Sequence, residues 1–156
     1  MRLIFWAGFW TFLVDQASKY FVVYWLDLRN LGSLDVLPPL LNFKMAWNYG
    51  INFGMFQGQT ELARWFLIGI ALVICAGVLY WMRREQPGRW GLISAGLLIG
   101  GALANVVDRV LYGAVADFLN MSCCGFTNPF SFNIADIGIF AGALGLVFLT
   151  GDEKTT

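Results

Sequence analysis

Residues 90–111 read WGLISAGLLIGGALANVVDRVL, an apolar run that closes on Asn105, Asp108 and Arg109. Its length decides the fold, because a helix needs about 20 apolar residues to cross a bilayer. Three more stretches match it, at about 3–25, 62–82 and 132–149. The chain of 156 residues is 58% hydrophobic and only 13% charged, against about 25% charged in a soluble domain. These readings predict an α-helical integral membrane protein with four transmembrane helices, built as a single membrane-embedded domain over 1–156. The first stretch begins like a signal peptide, with Arg2 and then an apolar run. It is too long, lacks a small-residue cleavage site and contains Asp15 and Lys19, so it reads as a retained helix.

Basic residues set the orientation. Arg2 precedes the first span, Arg83, Arg84 and Arg89 lie between the second and third, and Lys154 follows the fourth. Four spans put all of these on one side, so both termini are expected to be cytoplasmic. The longer loops, about 26–61 and 112–131, then face outward. Lys44, Arg29 and Arg64 are minority charges on or near that side. Within the first loop, Leu41, Phe43, Met45 and Trp47 alternate with Asn42, Lys44, Ala46 and Asn48, the period of a half-exposed strand. Tyr49-Gly50 offers a turn, and Ile51, Phe53 and Met55 alternate again. The expectation is a small extracytoplasmic β-sheet or hairpin on the outer membrane surface, meeting lipid or a lipidated ligand, or else simply covering the helices.

Glycines crowd the last two spans. Gly96 with Gly100 and Gly138 with Gly142 have the spacing that lets helix backbones approach closely, so the third and fourth helices are expected to touch. The chain has no histidine and zero formal net charge. That excludes Ser-His and Cys-His catalysis and the usual His-ligated zinc sites, and no basic field points to nucleic acid. Cys75 reads as a small buried hydrophobe. Cys123 and Cys124 are adjacent, a pair that rarely bridges, and with no CxxC spacing no metal or redox motif is assigned. No cofactor is expected.

Ionisable residues at membrane depth are functional-site candidates. Asp15 and Lys19 stand four apart on the first helix and are expected to pair, with Lys19 snorkelling outward. A Ser18-Lys19 dyad is disfavoured, because adjacent helical side chains point about 100° apart. Asn105, Asp108 and Arg109 share a face near the outer end of the third helix and read as scaffold. Asp117 lies just beyond that end. Asp136 lies about one turn into the fourth helix, with Asn133 three residues before it. The third helix runs outward and the fourth inward, so the two aspartates come to similar depth. Two close carboxyls in an apolar setting push their pKa values up and apart, leaving one proton to share. One acid and one base can split a peptide bond with no metal. The competing readings are separate caps or pairs with Lys44 or Arg109, a small proton- or ion-coupled membrane transporter, and a non-catalytic assembly factor.

Five segments in order resemble one family: Asp15-Gln16-Ala17-Ser18-Lys19, Asn48-Tyr49-Gly50, Gly101 to Arg109, Val115-Ala116-Asp117-Phe118, and Phe132-Asn133-Ile134-Ala135-Asp136. The chain resembles the bacterial lipoprotein signal peptidases, the type II signal peptidases, over nearly its whole length. The resemblance implies an aspartic endopeptidase of the inner membrane whose site faces outward. Its substrate would be a diacylglyceryl-modified prolipoprotein, cut just before the lipidated cysteine, and its inhibitor the cyclic peptide globomycin. It implies Asp117 and Asp136 as the catalytic pair, with Asn48, Gly50, Asn105, Asp108, Arg109, Asn133, Asp15 and Lys19 around them. The chain departs from the family pattern at Ile51-Asn52, where small residues are usual, at Ala104, where glycine is, and at Ile137, where serine often stands.

Overall fold

The computed structural model describes residues 1–38, 40–50, 60–123 and 128–149. The first apolar stretch is helix α1 (Arg2–Lys19), which continues in wider π-helical geometry over Tyr20–Trp25. A single turn, α2 (Leu28–Leu31), leads into strands β1 (Ser33–Leu37) and β2 (Leu41–Asn48). Helices α3 (Thr60–Glu85) and α4 (Arg89–Tyr112) follow, then strand β3 (Val115–Met121) and helix α5 (Ile134–Leu149). All four apolar stretches are helical, with bounds within three residues of those expected. Among the described residues, Glu61–Glu85 and Arg89–Tyr112 are long and apolar enough to cross a membrane, and Ile134–Leu149 is a shorter apolar helix.

Helix α4 is the hub, with α1, α3 and α5 packed around it. Small residues make this possible. A Cβ at Gly100 would strike the backbone of Gly8 in α1, and one at Gly142 would sit 2.6 Å from the Leu98 amide nitrogen in α4. The expected touch between α4 and α5 is present. However, Gly96 and Gly100 face α1 rather than α5, and Gly101 is the residue of α4 that meets Ala135. Near the C-terminal end of α4, Arg64 of α3 pairs with Glu61 at 2.9 Å. It also donates to the Val110 carbonyl at 2.9 Å, one of the orphan acceptors that a helix end leaves. Large apolar side chains such as Val73, Phe140 and Val147 stand exposed on the outside of the bundle, the surface that lipid covers in a membrane protein.

The sheet is three-stranded and antiparallel, in the order β1-β2-β3. The alternating stretch at 41–47 is indeed a strand. Its partners are β1, through Leu34↔Phe43, and β3, through Ala46↔Asp117 and Asn48↔Val115. The second alternating run, 51–55, lies outside the described residues. Strand β3 escapes a period-two reading because Val115, Ala116, Asp117 and Phe118 are all buried, and a strand covered on both faces does not alternate. Phe118, Val22 and Leu28 form a core under the sheet, with Phe43 edge-on to Phe118 at 5.6 Å. This core seats β3 on the π-helical continuation of α1. Cys75 is buried and free. Cys123 is disulfide-bonded.

Candidate active site

Asn133 joins the two aspartates. It is the N-cap of α5, and Asp136 is the third residue of that helix. The Asn133 Oδ1 accepts from the Asp136 amide at 2.9 Å, and the Asp136 Oδ2 accepts from the Asn133 amide at 3.2 Å. This is a capping box written with Asn and Asp. Because Oδ1 is committed to the cap, Nδ2 must point the other way. It donates to Asp117 Oδ1 at 2.6 Å and to Asn105 Oδ1 at 3.3 Å. Asn133 is fully buried, so this arrangement has no water to fall back on.

Each carboxylate takes a further amide donor. Asn48 Nδ2 donates to Asp117 Oδ2 at 3.0 Å, and Asn105 Nδ2 donates to Asp136 Oδ1 at 3.0 Å. The structure therefore brings Asp117, Asp136, Asn48, Asn105 and Asn133 into one cluster. Asp117 is only 3% exposed. Burial pushes its carboxyl up to about 6, and the charge of Asp136 adds to that, while the donors Asn48 and Asn133 pull it back. A carboxyl poised just below neutrality suits proton transfer near pH 7. Asn48 is itself fixed by accepting from the Gly50 amide at 2.9 Å. Gly50 has a φ of 100°, in the region that favours glycine.

A second cluster lies behind the first. Lys19 does not snorkel outward. It is buried, with Nζ 2.7 Å from Asp15 Oδ2, 2.7 Å from Asp108 Oδ2 and 3.4 Å from Asn105 Oδ1. Two buried carboxylates hold the ammonium inward, since each is costly without a partner. Both also anchor an element of the site. Asp15 Oδ1 accepts from the Ala135 amide at 2.8 Å, in the first turn of α5. Asp108 Oδ2 accepts from the Ala116 amide at 3.2 Å, beside Asp117 in β3. Lys19 thus clamps the two residues that set the positions of Asp136 and Asp117. Ser18 is spent on the Asp15 carbonyl, at 2.7 Å, which agrees with the rejection of a Ser18-Lys19 dyad.

Arg109 donates to the Asn105 carbonyl at 3.4 Å, and its charge is felt by Asp136, Asp108 and Asp117. Among the described residues no ion pair joins Asp117 or Asp136 to Lys44 or Arg109, so the separate-pair reading fails. Ile137 is half exposed, whereas Ala104 is fully buried; Ile51 and Asn52 lie outside the described residues. Two contributors were not singled out from the sequence. Gln16 donates to Asp108 Oδ1 at 2.9 Å, and its signal was a polar amide at membrane depth beside Asp15. Asn120 holds the Asn128 and Phe130 carbonyls, each at 2.8 Å. It thereby steers the chain back so that Phe132 pairs with Leu119, which delivers Asn133 to Asp117. No group of His, Cys, Asp and Glu suited to a metal occurs among the described residues.

Fold and site together define a mostly helical membrane protein with two carboxyls, one buried and one partly buried, gathered beside a small three-stranded sheet. The family model for signal peptidase II matches residues 8–150, and the chain belongs to that peptidase family. It is similar to the lipoprotein signal peptidase of Methylobacterium sp. (strain 4-46), 41% identical over 140 residues, 90% of this chain and 83% of that one. It is also similar to that of Alteromonas mediterranea, 36% identical over 154 residues, 96% of this chain and 82% of that one. A solved bacterial membrane enzyme superposes with a TM-score of 0.82 at 25% identity, covering 98% of this chain and 95% of that one.

Proposed function

We propose that this chain is a lipoprotein signal peptidase of the bacterial inner membrane. It removes the signal peptide from diacylglyceryl-modified prolipoproteins by an aspartic mechanism at the outer membrane edge. The observation that carries the mechanism is the Asn133 bridge, which joins the buried Asp117 carboxyl and the partly buried Asp136 carboxyl in one hydrogen-bonded cluster. One ionised carboxylate of the Asp117–Asp136 pair takes a proton from water as the water attacks the scissile carbonyl. The other, protonated, donates to the carbonyl oxygen, and the roles exchange as the amine leaves. Asn48, Asn105 and Asn133 orient the carboxyls, while Asp15, Lys19, Asp108 and Arg109 hold the elements that carry them.

The topology that fits this chemistry has four spans, α1, α3, α4 and α5, in a single domain with both termini cytoplasmic. The sheet then lies on the outer face, near the diacylglyceryl chains of the substrate. Lipid supplies binding energy remote from the scissile bond, and a globomycin-type cyclic peptide competes for the same site. A proton- or ion-coupled transporter is not supported, because its carboxylates would line a cavity at mid-bilayer. Purified protein given matched lipidated and unlipidated prolipoproteins should cleave only the first. Equal cleavage of both would remove the lipid requirement from the proposal.

A further inference from the structure

The inner half of the bundle carries a groove that peptide cleavage does not use. An apolar recess of about 350 Å³ is lined by Ile4, Phe5, Gly8 and Phe12 of α1, Leu79 of α3 and Leu103 of α4. It stays open because α3 packs on α4 and scarcely on α1. Along α1 it runs from residue 1 to residue 12, about 16 Å at 1.5 Å per residue, close to half of the ~30 Å hydrocarbon core. The recess is therefore one leaflet long, which suits an acyl chain and is too short for a spanning peptide helix. At its inner end a second recess, of about 470 Å³, is lined by Met82, Arg83, Gln86, Pro87 and Leu92 and shares Met1 with the first. Arg2, Arg83, Arg84 and Arg89 are exposed around this end. Glu85 is the one carboxylate there among the described residues.

An apolar slot of leaflet length that ends in a basic recess has the charge pattern of an anionic lipid site, and basic pockets between helices bind such headgroups. The geometry points to a binding site for an anionic glycerophospholipid, one acyl chain lying between α1 and α3 and the phosphate held at Arg83. This site is separate from the carboxyl pair and does not depend on it.

Native mass spectrometry of the protein released from detergent, offered equal amounts of phosphatidylglycerol and phosphatidylcholine with the same chains, tests the site. The wild type should retain phosphatidylglycerol at least about fivefold over phosphatidylcholine. Arg83→Gln, a change at an exposed position, should erase most of that preference. Arg84→Gln should keep it, since Arg84 reaches the Tyr80 hydroxyl instead. Leu103→Trp, which fills the apolar recess, should lower retention of both lipids while the melting temperature holds. Glycerol phosphate alone should leave no adduct. Equal retention of the two lipids by the wild type, or an unchanged preference in Arg83→Gln, overturns the proposal. So does a glycerol phosphate adduct as abundant as the lipid's.

Discussion

Replacing Asn133 by alanine tests whether one amide both caps α5 and tunes the dyad. The change removes the bonds to Asp117, Asn105 and the Asp136 amide together. Loss of the cap costs about 1 kcal/mol. Leaving the buried Asn105 and Asp117 oxygens short of a donor costs about 1–3 kcal/mol more. Stability should therefore fall by about 2–4 kcal/mol, read from denaturant unfolding in detergent followed by tryptophan fluorescence. The same change withdraws a donor that lowers the Asp117 pKa. A charge-assisted hydrogen bond of about 1.5–3 kcal/mol corresponds to a shift of about one to two pH units. The limb of the pH–rate profile governed by Asp117 should move to higher pH by that amount. Asn133→Ser separates the two roles: its hydroxyl can cap the helix but cannot reach Asp117. It should recover about 1 kcal/mol of stability and leave the limb displaced. An Asn133→Ala protein within about 0.5 kcal/mol of wild type, or one whose pH profile stays in place, would refute the reasoning.

Other perturbations follow from the same contacts. Lys19→Met strands Asp15 and Asp108 in the interior and should cost about 3–5 kcal/mol by thermal or denaturant unfolding; a neutral result would mean that the clamp carries no weight. Gly100→Ala presses a Cβ into the Gly8 backbone and should cost about 1–3 kcal/mol. Gly77→Ala, with open space at its Cβ, should instead be neutral or stabilising by up to about 1 kcal/mol. Asp117 rises from 3.8 to about 6 on folding, so the folded state binds its proton more tightly than the unfolded chain does. Its contribution is full below pH ~4 and is lost as pH rises through about 6, worth about 2–3 kcal/mol. Unfolding measured between pH 4 and 7 should show that slope, and Asp117→Asn should flatten it.

The helices were legible because each is a long apolar run broken by charge or proline, and period hardly mattered. The sheet was legible only at β2. A partner across the turn was expected at 51–55, which lies outside the described residues; the described partners are β1 and β3, the latter more than 60 residues on, with a buried run VADF that has no alternating signal. That the two carboxyls meet at one end of the bundle could be read from helix direction alone. The roles of the residues around them could not. Lys19 looked like an interfacial charge until Asp108, supplied by another helix, was seen to hold it inward. Asn133 read as a neighbour of Asp136, and only the return of the chain at Phe132 makes it the bridge to Asp117. Such long-range contacts leave no mark on local spacing.

The most direct measurement is single-turnover cleavage of a diacylglyceryl-modified prolipoprotein by wild type, Asp117→Asn and Asp136→Asn, each first shown to be folded by its unfolding transition. Loss of general acid–base catalysis should slow each variant by at least about 10²–10⁴-fold, with substrate still bound. Cleavage near the wild-type rate by either folded variant would contradict the two-carboxyl account.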